Sequence, residues 1–288
     1  VRLWLQSLWI EFKMVRDLKI LLKERVKRIR KHVVWMISEA GSGHPGGSLS
    51  CIEVVSVLFF HKMRHNPKRP DWLERDRFVL SKGHAAPTLY ATLAEAGYFP
   101  VGELRSLRKF GSILQGHPDR KRTPGVEVST GSLGQGLSVA NGMALAGKLD
   151  GKKYRVYVLL GDGECNEGQV WEAAMFSSHY KLDNLTAIVD RNGLQIDGPT
   201  EKVMSIEPIA DKWRAFGWNV VEIDGHKLDE IVSALDSAEK CRQKPTVVIA
   251  HMTKGKGVSF MEWVADYHGK APNKEELEKA LCELENDN

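Results

Sequence analysis

The stretch Arg155-Val-Tyr-Val-Leu-Leu160, followed by Gly161-Asp-Gly-Glu-Cys-Asn-Glu-Gly168, reads as a buried strand running into a glycine-flanked acidic turn. A helical stretch follows over 170–181, then a second apolar strand over 185–189, then Asp190-Arg-Asn-Gly-Leu-Gln-Ile196. Asn192 lies thirty residues after Asp162, the distance of one helix and one strand back to the same sheet edge. A carboxylate and an amide oxygen thus converge from neighbouring loops. Hard cations such as Mg²⁺ take oxygen ligands of this kind and share them with substrate phosphates. Gly161 and Gly163 let the backbone come close, and an N–H at the start of the next helix can bind a phosphate oxygen. Either turn alone is ordinary turn chemistry. The pair, each directly after an apolar strand, is specific.

The alternation extends both ways from this core. Strands at 77–80, 155–160, 185–189, 219–223 and 246–250 alternate with helical stretches at 88–96, 134–149, 170–181 and 228–242. The pattern predicts one α/β domain, a mostly parallel sheet covered by helices on both faces, with ligands beyond the carboxyl ends of the strands. Upstream, residues 14–37 read as a helix, because Val15, Leu18, Leu22, Val26, Ile29, Val33 and Met36 recur at spacings of three and four. It ends in Gly41-Ser-Gly-His-Pro-Gly-Gly47, and Ser50-Cys-Ile-Glu53 fits a capping box for a second helix. Residues 1–13 form an uncertain extension, which leaves 14–288 as the domain.

Composition narrows the function. With 42% hydrophobic and 27% charged among 288 residues, the chain is globular. The formal charge is +4, and the scattered basic run at 23–31 reads as a solvated helix face, so neither nucleic acid nor membrane is an expected partner. Cys51, Cys165, Cys241 and Cys282 lie far apart with no CxxC pair, which points to a reducing, cytoplasmic setting. Gly142-Met-Ala-Leu-Ala-Gly-Lys148 matches GxxxxGK but lies in a helical stretch, follows no strand and ends in Leu149. Gly131-Ser-Leu-Gly-Gln-Gly136 has the dinucleotide glycines in reversed spacing. Of ten histidines, His44, His84, His117 and His268 sit beside glycines in Gly/Pro-rich loops, where four together indicate a site.

The Gly-Asp-Gly-Glu turn with its distant Asn resembles the thiamin diphosphate fingerprint. From about 15 to 284 the chain resembles the diphosphate-binding domain of transketolase, through GSGHPGGSLS (41–50), LSKGHAAPTLY (80–90), QGHPD (115–119), TGSLGQGLSVANGMA (130–144), VDRNGLQIDGPT (189–200), EIDGH (222–226) and YHGKAPN (267–273). The resemblance implies thiamin diphosphate as cofactor, with Mg²⁺ or Ca²⁺ held by Asp162, Asn192 and the Leu194 carbonyl. It implies that Gly163, His84, His268 and Asn192 contact the diphosphate side. Gly131 and Leu133 would line the rings, Ile196 would be an apolar neighbour, and Glu167 a buried acid near a subunit contact. His44, His117 and His268 would contact the sugar hydroxyls, where an imidazole suits proton transfer near neutrality. Ser132 and Asp119 depart from the common Pro and Glu.

Whole transketolases continue into a pyrimidine-binding domain, which supplies an activating Glu, and a C-terminal domain. The resemblance therefore implies the N-terminal subunit of a split transketolase of the pentose phosphate pathway. Such a subunit is inactive alone and works on sugar phosphates with a C-terminal subunit, in a heterotetramer with two copies of each. The alternatives are a subunit like deoxyxylulose-phosphate synthase, one like a 2-oxo acid dehydrogenase α chain, or a non-catalytic cofactor-binding scaffold.

Overall fold

Five apolar runs pair into one parallel sheet in a computed structural model that describes residues 2–286, with side chains from 16 onward. The chain runs α1 (Arg2–Ala40), α2 (Pro45–Leu49), α3 (Ile52–Val57), β1 (Arg77–Leu80), α4 (Ala86–Glu95), α5 (Gln135–Leu149), β2 (Val156–Gly161), α6 (Gly168–His179) and β3 (Leu185–Arg191). It continues through β4 (Leu194–Gln195), β5 (Gly198–Pro199), α7 (Thr200–Val203), α8 (Ile209–Ala215), β6 (Asn219–Asp224), α9 (Leu228–Lys240), β7 (Thr246–His251) and α10 (Lys274–Asn286). The strand order is β1-β2-β3-β7-β6, and β4 and β5 form a separate antiparallel pair.

The strands β1, β2 and β3 are almost wholly buried because helices cover both faces. Alternate strand residues feed two cores. Phe78, Tyr157, Leu159, Ile188 and Val248 pack on the side of α1, α3, α4 and α9. Val79, Val158, Leu160, Val189 and Ile249 pack on the side of α5, α6 and α8. The doubly covered α/β architecture is the one expected. The helix expected at 14–37 begins earlier, since α1 starts at Arg2. Of the 1–13 extension, Val1 and the side chains lie outside the described residues.

The capping box does not form. Pro45 opens α2 inside the glycine cluster, and α3 has Cys51 at its N-cap with no side-chain cap. Ser50 is fully buried, and its hydroxyl donates to Asp190, with the Gly47 carbonyl also 3.0 Å away, instead of capping the helix. Glu53 pairs with Arg30 at 2.6 Å.

Register fixes the site. Gly161 pairs with Asp190, Asp190 with Ala250, and Arg191 with His251. The residues just beyond that edge are Asp162, Asn192 and the loop holding Lys254.

Candidate cofactor and metal site

Asp162 is 2% exposed and fully engaged. Its Oδ1 accepts the Gly163 N–H at 2.8 Å, and its Oδ2 accepts the Gly193 N–H at 2.7 Å and Arg191 Nη1 at 3.1 Å. Burial, then the nearby Asp190 charge, push its pKa up, so the carboxylate sits where a cation is favoured. Asn192 donates from Nδ2 to Asp190 at 3.1 Å, and its Oδ1 accepts the Leu194 N–H at 3.2 Å. Asp162 and Asn192 therefore sit in one hydrogen-bonded loop pair, as their spacing predicts, and Leu194, which the resemblance implies, lies in the same loop.

The Leu194 carbonyl accepts Lys254 Nζ at 3.0 Å. Lys254 also donates to His268 Nδ1 at 3.0 Å, which leaves the His268 Nε2–H free for a ligand. Burial, then Lys82, pull the Lys254 pKa down to about 8, and at neutral pH the ammonium still predominates. Lys82 itself is buried against Asp190 and donates to the Gly47 carbonyl at 2.8 Å. Burial opposes its charge, yet the Asp190 carboxylate raises its pKa overall.

One carboxylate, one amide oxygen and one backbone carbonyl fit a hard cation that completes its shell with phosphate or water oxygens. Among the described residues no cluster of three His, Cys, Asp or Glu offers an all-protein cage. Two further observations fit a phosphorylated ligand. A Cβ on Gly163 would lie 2.9 Å from Gln195 Oε1 and 3.0 Å from Gln195 Cβ, so a side chain there would displace Gln195. Gln195 Nε2 is buried without a partner.

The 130–136 loop is bound to this edge. Thr130 Oγ1 donates to the Leu80 carbonyl at 2.7 Å. Gly134 adopts φ +84°, and its N–H donates to Glu164 Oε1 at 2.9 Å. Glu164 is 3% exposed and also accepts from Ser81 Oγ and, at 2.8 Å, from the Gly161 N–H. Burial raises its pKa, against these donors. Gly131 lies beside His117, Leu133 is half-buried, and Ile196 is 68% exposed. Glu167, expected to be buried near a subunit contact, is exposed in this single chain at the N-cap of α6, and the carboxylate that the chain itself buries in this turn is Glu164.

The four loop histidines meet. The His44 ring lies 5.6 Å from His84, 6.0 Å from His117 and 5.4 Å from His268, and His84 lies 5.3 Å from His268. Burial, then Arg108, lower the His44 pKa to about 4, and burial, then Lys254, lower that of His268 to about 3. His84 is held well below its ordinary value by burial and Lys82, and His117 is lowered by burial and Arg108. All four are neutral at pH 7. His44 Nδ1 is buried and has no partner within the chain. Outside the cluster His32 pairs with Glu95, His65 with the Phe59 carbonyl, and His226 Nε2 accepts the Thr253 N–H. These three brace the fold.

Sequence reasoning missed Lys82, Asp190, Glu164 and Lys254. Lys82 lies two residues past β1 and Lys254 three past β7, so inspecting the loop starts after those two parallel strands finds both.

The family model for the transketolase thiamine diphosphate binding domain matches residues 22–286. A 6-deoxy-6-sulfo-D-fructose transketolase subunit from Clostridium sp. (strain MSTE9) is 48% identical over 264 residues, 92% of this chain and 96% of that protein. An apulose-4-phosphate transketolase subunit from Phocaeicola vulgatus is 48% identical over 91% of this chain and 93% of its own length. The Pichia stipitis transketolase structure in complex with sedoheptulose 7-phosphate superposes with a TM-score of 0.88 at 35% identity; 92% of this chain covers only 40% of that one. On the family match, these identities and the geometry of the strand-end site, the chain belongs to the transketolase family as its thiamin diphosphate-binding domain.

Proposed function

We propose that this chain is the N-terminal, cofactor-binding subunit of a two-chain transketolase, transferring a two-carbon ketol unit from a ketose phosphate to an aldose phosphate. The observation that carries the reading is the join at Leu194. Its N–H donates to Asn192 Oδ1 at 3.2 Å, and its carbonyl accepts Lys254, which reaches His268 in the imidazole cluster. The metal end and the proton-handling end are thus one continuous site.

Asp162, Asn192 and the Leu194 carbonyl would hold Mg²⁺, with Ca²⁺ as the alternative. Gly163, Lys254, His84 and His268 would hold the diphosphate, and Gly131, Leu133 and Ile196 would lie along the rings. Bound there, thiamin diphosphate supplies the electron sink that carbon–carbon cleavage beside a ketose carbonyl requires. The chain's own residues orient and move protons. Neutral His44 and His117 can each accept a hydroxyl proton from the sugar and return it, a positioned group of this kind contributing about 10²–10⁴ in rate. His268, its Nδ1 taken by Lys254, can donate its Nε2–H to a ligand oxygen.

The partner would be a C-terminal transketolase subunit, with two copies of each chain in the assembly. The two subunit relatives, matched over 96% and 93% of their own lengths, favour that reading. Exposed Ile196, Met204 and Trp263 beside the site, and exposed Glu167 at α6, fit surfaces that the assembly covers. Free cysteines fit a cytoplasmic enzyme, with pentose phosphate metabolism as its setting. The sulfonated and phosphorylated sugars named for the relatives support an anionic ketose as the donor.

The test combines the purified chain with a C-terminal transketolase subunit, Mg²⁺ and thiamin diphosphate. Turnover of xylulose 5-phosphate or 6-deoxy-6-sulfofructose with an aldose acceptor should require both chains. Full turnover by this chain alone sinks the two-chain reading. Preference for pyruvate moves the assignment to another thiamin enzyme, and a complex that binds no cofactor indicates a scaffold.

A further inference from the structure

Lys19, Lys23 and Lys27 recur every four residues along one face of α1, and Lys227 joins them from the β6–α9 turn. These four lysines line the mouth of a cavity of about 560 Å³ enclosed by α1, α3, α9 and α10. That volume suits a small organic ligand. Like charges four apart on a helix repel one another, and the chain relieves this only in part. Lys19 lies 3.8 Å from Asp229, Lys27 donates to the Glu285 carbonyl at 2.7 Å, and Lys227 pairs with Glu230 at 2.9 Å. Lys23 is exposed and, among the described residues, has no ion pair.

The floor of the cavity is polar and buried. Arg30 and Glu53, each 6% exposed, pair there at 2.6 Å, and His226 Nδ1 lies 3.3 Å from Glu53 Oε1. Arg30 Nε and Glu53 Oε2 are buried with no partner in the chain, and such atoms cost free energy unless a group from outside meets them. Leu228 and Leu284 add apolar wall. The four lysines and Arg30 outnumber the lining carboxylates, which are those of Glu24, Glu53 and Asp229. A loop separates this cavity from the cofactor site. His226 Nε2 accepts the Thr253 N–H at 2.8 Å, and a Cβ on Gly257 would come 2.6 Å from Arg30 Cδ. Lys254, between those two contacts in sequence, instead meets the Leu194 carbonyl and His268.

We infer that this cavity is a second ligand site, distinct from the cofactor site, and that it takes a small phosphate ester. The phosphate oxygens meet the lysine row, a hydroxyl or amine of the ligand donates to Glu53, and its carbon frame lies against Leu228 and Leu284. A row of ammonium groups on long flexible stems matches an anion with several charged oxygens, whereas a lone carboxylate neutralises one of them. Nucleotides and sugar phosphates share this chemistry. The inference is independent of the ketol-transfer reading, because none of the groups placed at the metal, the diphosphate or the imidazole cluster lines the cavity.

The experiment uses the two-chain complex saturated with thiamin diphosphate and Mg²⁺, so that its diphosphate-binding groups are filled. Calorimetric titration with ADP, fructose 1,6-bisphosphate and inorganic phosphate should show at least one ester binding more tightly than phosphate. Lys23→Glu with Lys27→Glu should weaken that binding about tenfold or more, and Lys23→Met alone, which breaks no ion pair, about threefold. Lys68→Glu with Arg69→Glu makes the same change in net charge at exposed residues outside the cavity, and should leave the affinity within about threefold. Binding of ADP assigns the site to nucleotides and binding of the bisphosphate to sugar phosphates, and either result supports the inference. Binding of inorganic phosphate alone, binding of no probe, or equal losses in the two double variants overturns it and leaves Arg30, Glu53 and His226 as a brace. A complex that takes up no thiamin diphosphate fails the cofactor reading, and the same titrations on it still decide this one.

Discussion

Glu164 holds Gly134: one carboxylate oxygen accepts the Gly134 N–H at 2.9 Å while the other accepts the Gly161 N–H at 2.8 Å. A single buried side chain thus fixes the distance between the 130–136 loop and the end of β2. Cofactor rings and cofactor diphosphate would rest on these two elements.

Removing that carboxylate strands two backbone donors and the Ser81 hydroxyl, each costing about 1–3 kcal/mol if left buried and unpaired. Glu164→Ala should weaken thiamin diphosphate binding by about tenfold or more. Glu164→Gln retains a carbonyl acceptor and should lose less. Calorimetric titration of the assembled complex with cofactor and Mg²⁺ decides this, and unchanged affinity in the alanine variant removes Glu164 from the cradle.

Lys82 and Asp190 form an ion pair with 1% and 0% side-chain exposure. Taking away one member leaves the other charged and buried, which costs about 3–5 kcal/mol. Lys82→Met should therefore destabilise the chain by that order in urea unfolding. Lys82→Met combined with Asp190→Leu should be less unstable than Lys82→Met alone, because no orphan charge remains. A double variant that is worse than the single would show that Ser50 and Asn192 depend on Asp190 more than Lys82 does.

The strands and the Asp162–Asn192 pair were legible because their information is local: an apolar run, then a turn residue that the run must deliver to the sheet edge. Glu164 and Glu167 sit three residues apart in one turn, and which is buried depends on Ser81 and Gly134, far away in the chain. Ser50 misled for the same reason, since its true partner, Asp190, lies 140 residues on. The β4–β5 pair has two residues per strand, too short for any periodicity. Helix α10 carries mostly charged residues and buries only Ala280 and Leu284, so its apolar stripe is faint in sequence.

Asp162 accepts two backbone N–H groups that hold the metal-side loops together, so substitution acts on both loop geometry and charge. Asp162→Asn relieves the repulsion from Asp190 but keeps only one acceptor oxygen, so one of the two backbone donors loses its partner. The variant should unfold at a lower denaturant midpoint, by about 1–3 kcal/mol. Its requirement for Mg²⁺ in thiamin diphosphate binding should rise by at least about tenfold, because a neutral amide is a poorer ligand for a hard cation. A Mg²⁺ titration at fixed cofactor, followed by circular dichroism of the complex, reads this out. Unaltered Mg²⁺ dependence would place the ion elsewhere.

Glu53 lies on the α1 side of the sheet, with Oε1 2.6 Å from Arg30 Nη2 and 3.3 Å from His226 Nδ1. Burial pushes its pKa up, but Arg30 and His226 outweigh burial and bring it to about 2, against 4.5 for an ordinary glutamate. The folded value lies below the unfolded one, so the unfolded chain binds the proton first as pH falls. The stabilisation is therefore complete above pH 4.5 and is lost as pH drops from there toward 2. Glu53→Gln should cost of order 3 kcal/mol at pH 7, where Arg30 would be left buried and unpaired. Over the acid window the variant's unfolding free energy should fall less steeply than that of the wild type. Urea midpoints at pH 7, 5, 4 and 3 measure both effects, and parallel acid limbs in the two proteins would assign the acid sensitivity to other carboxylates.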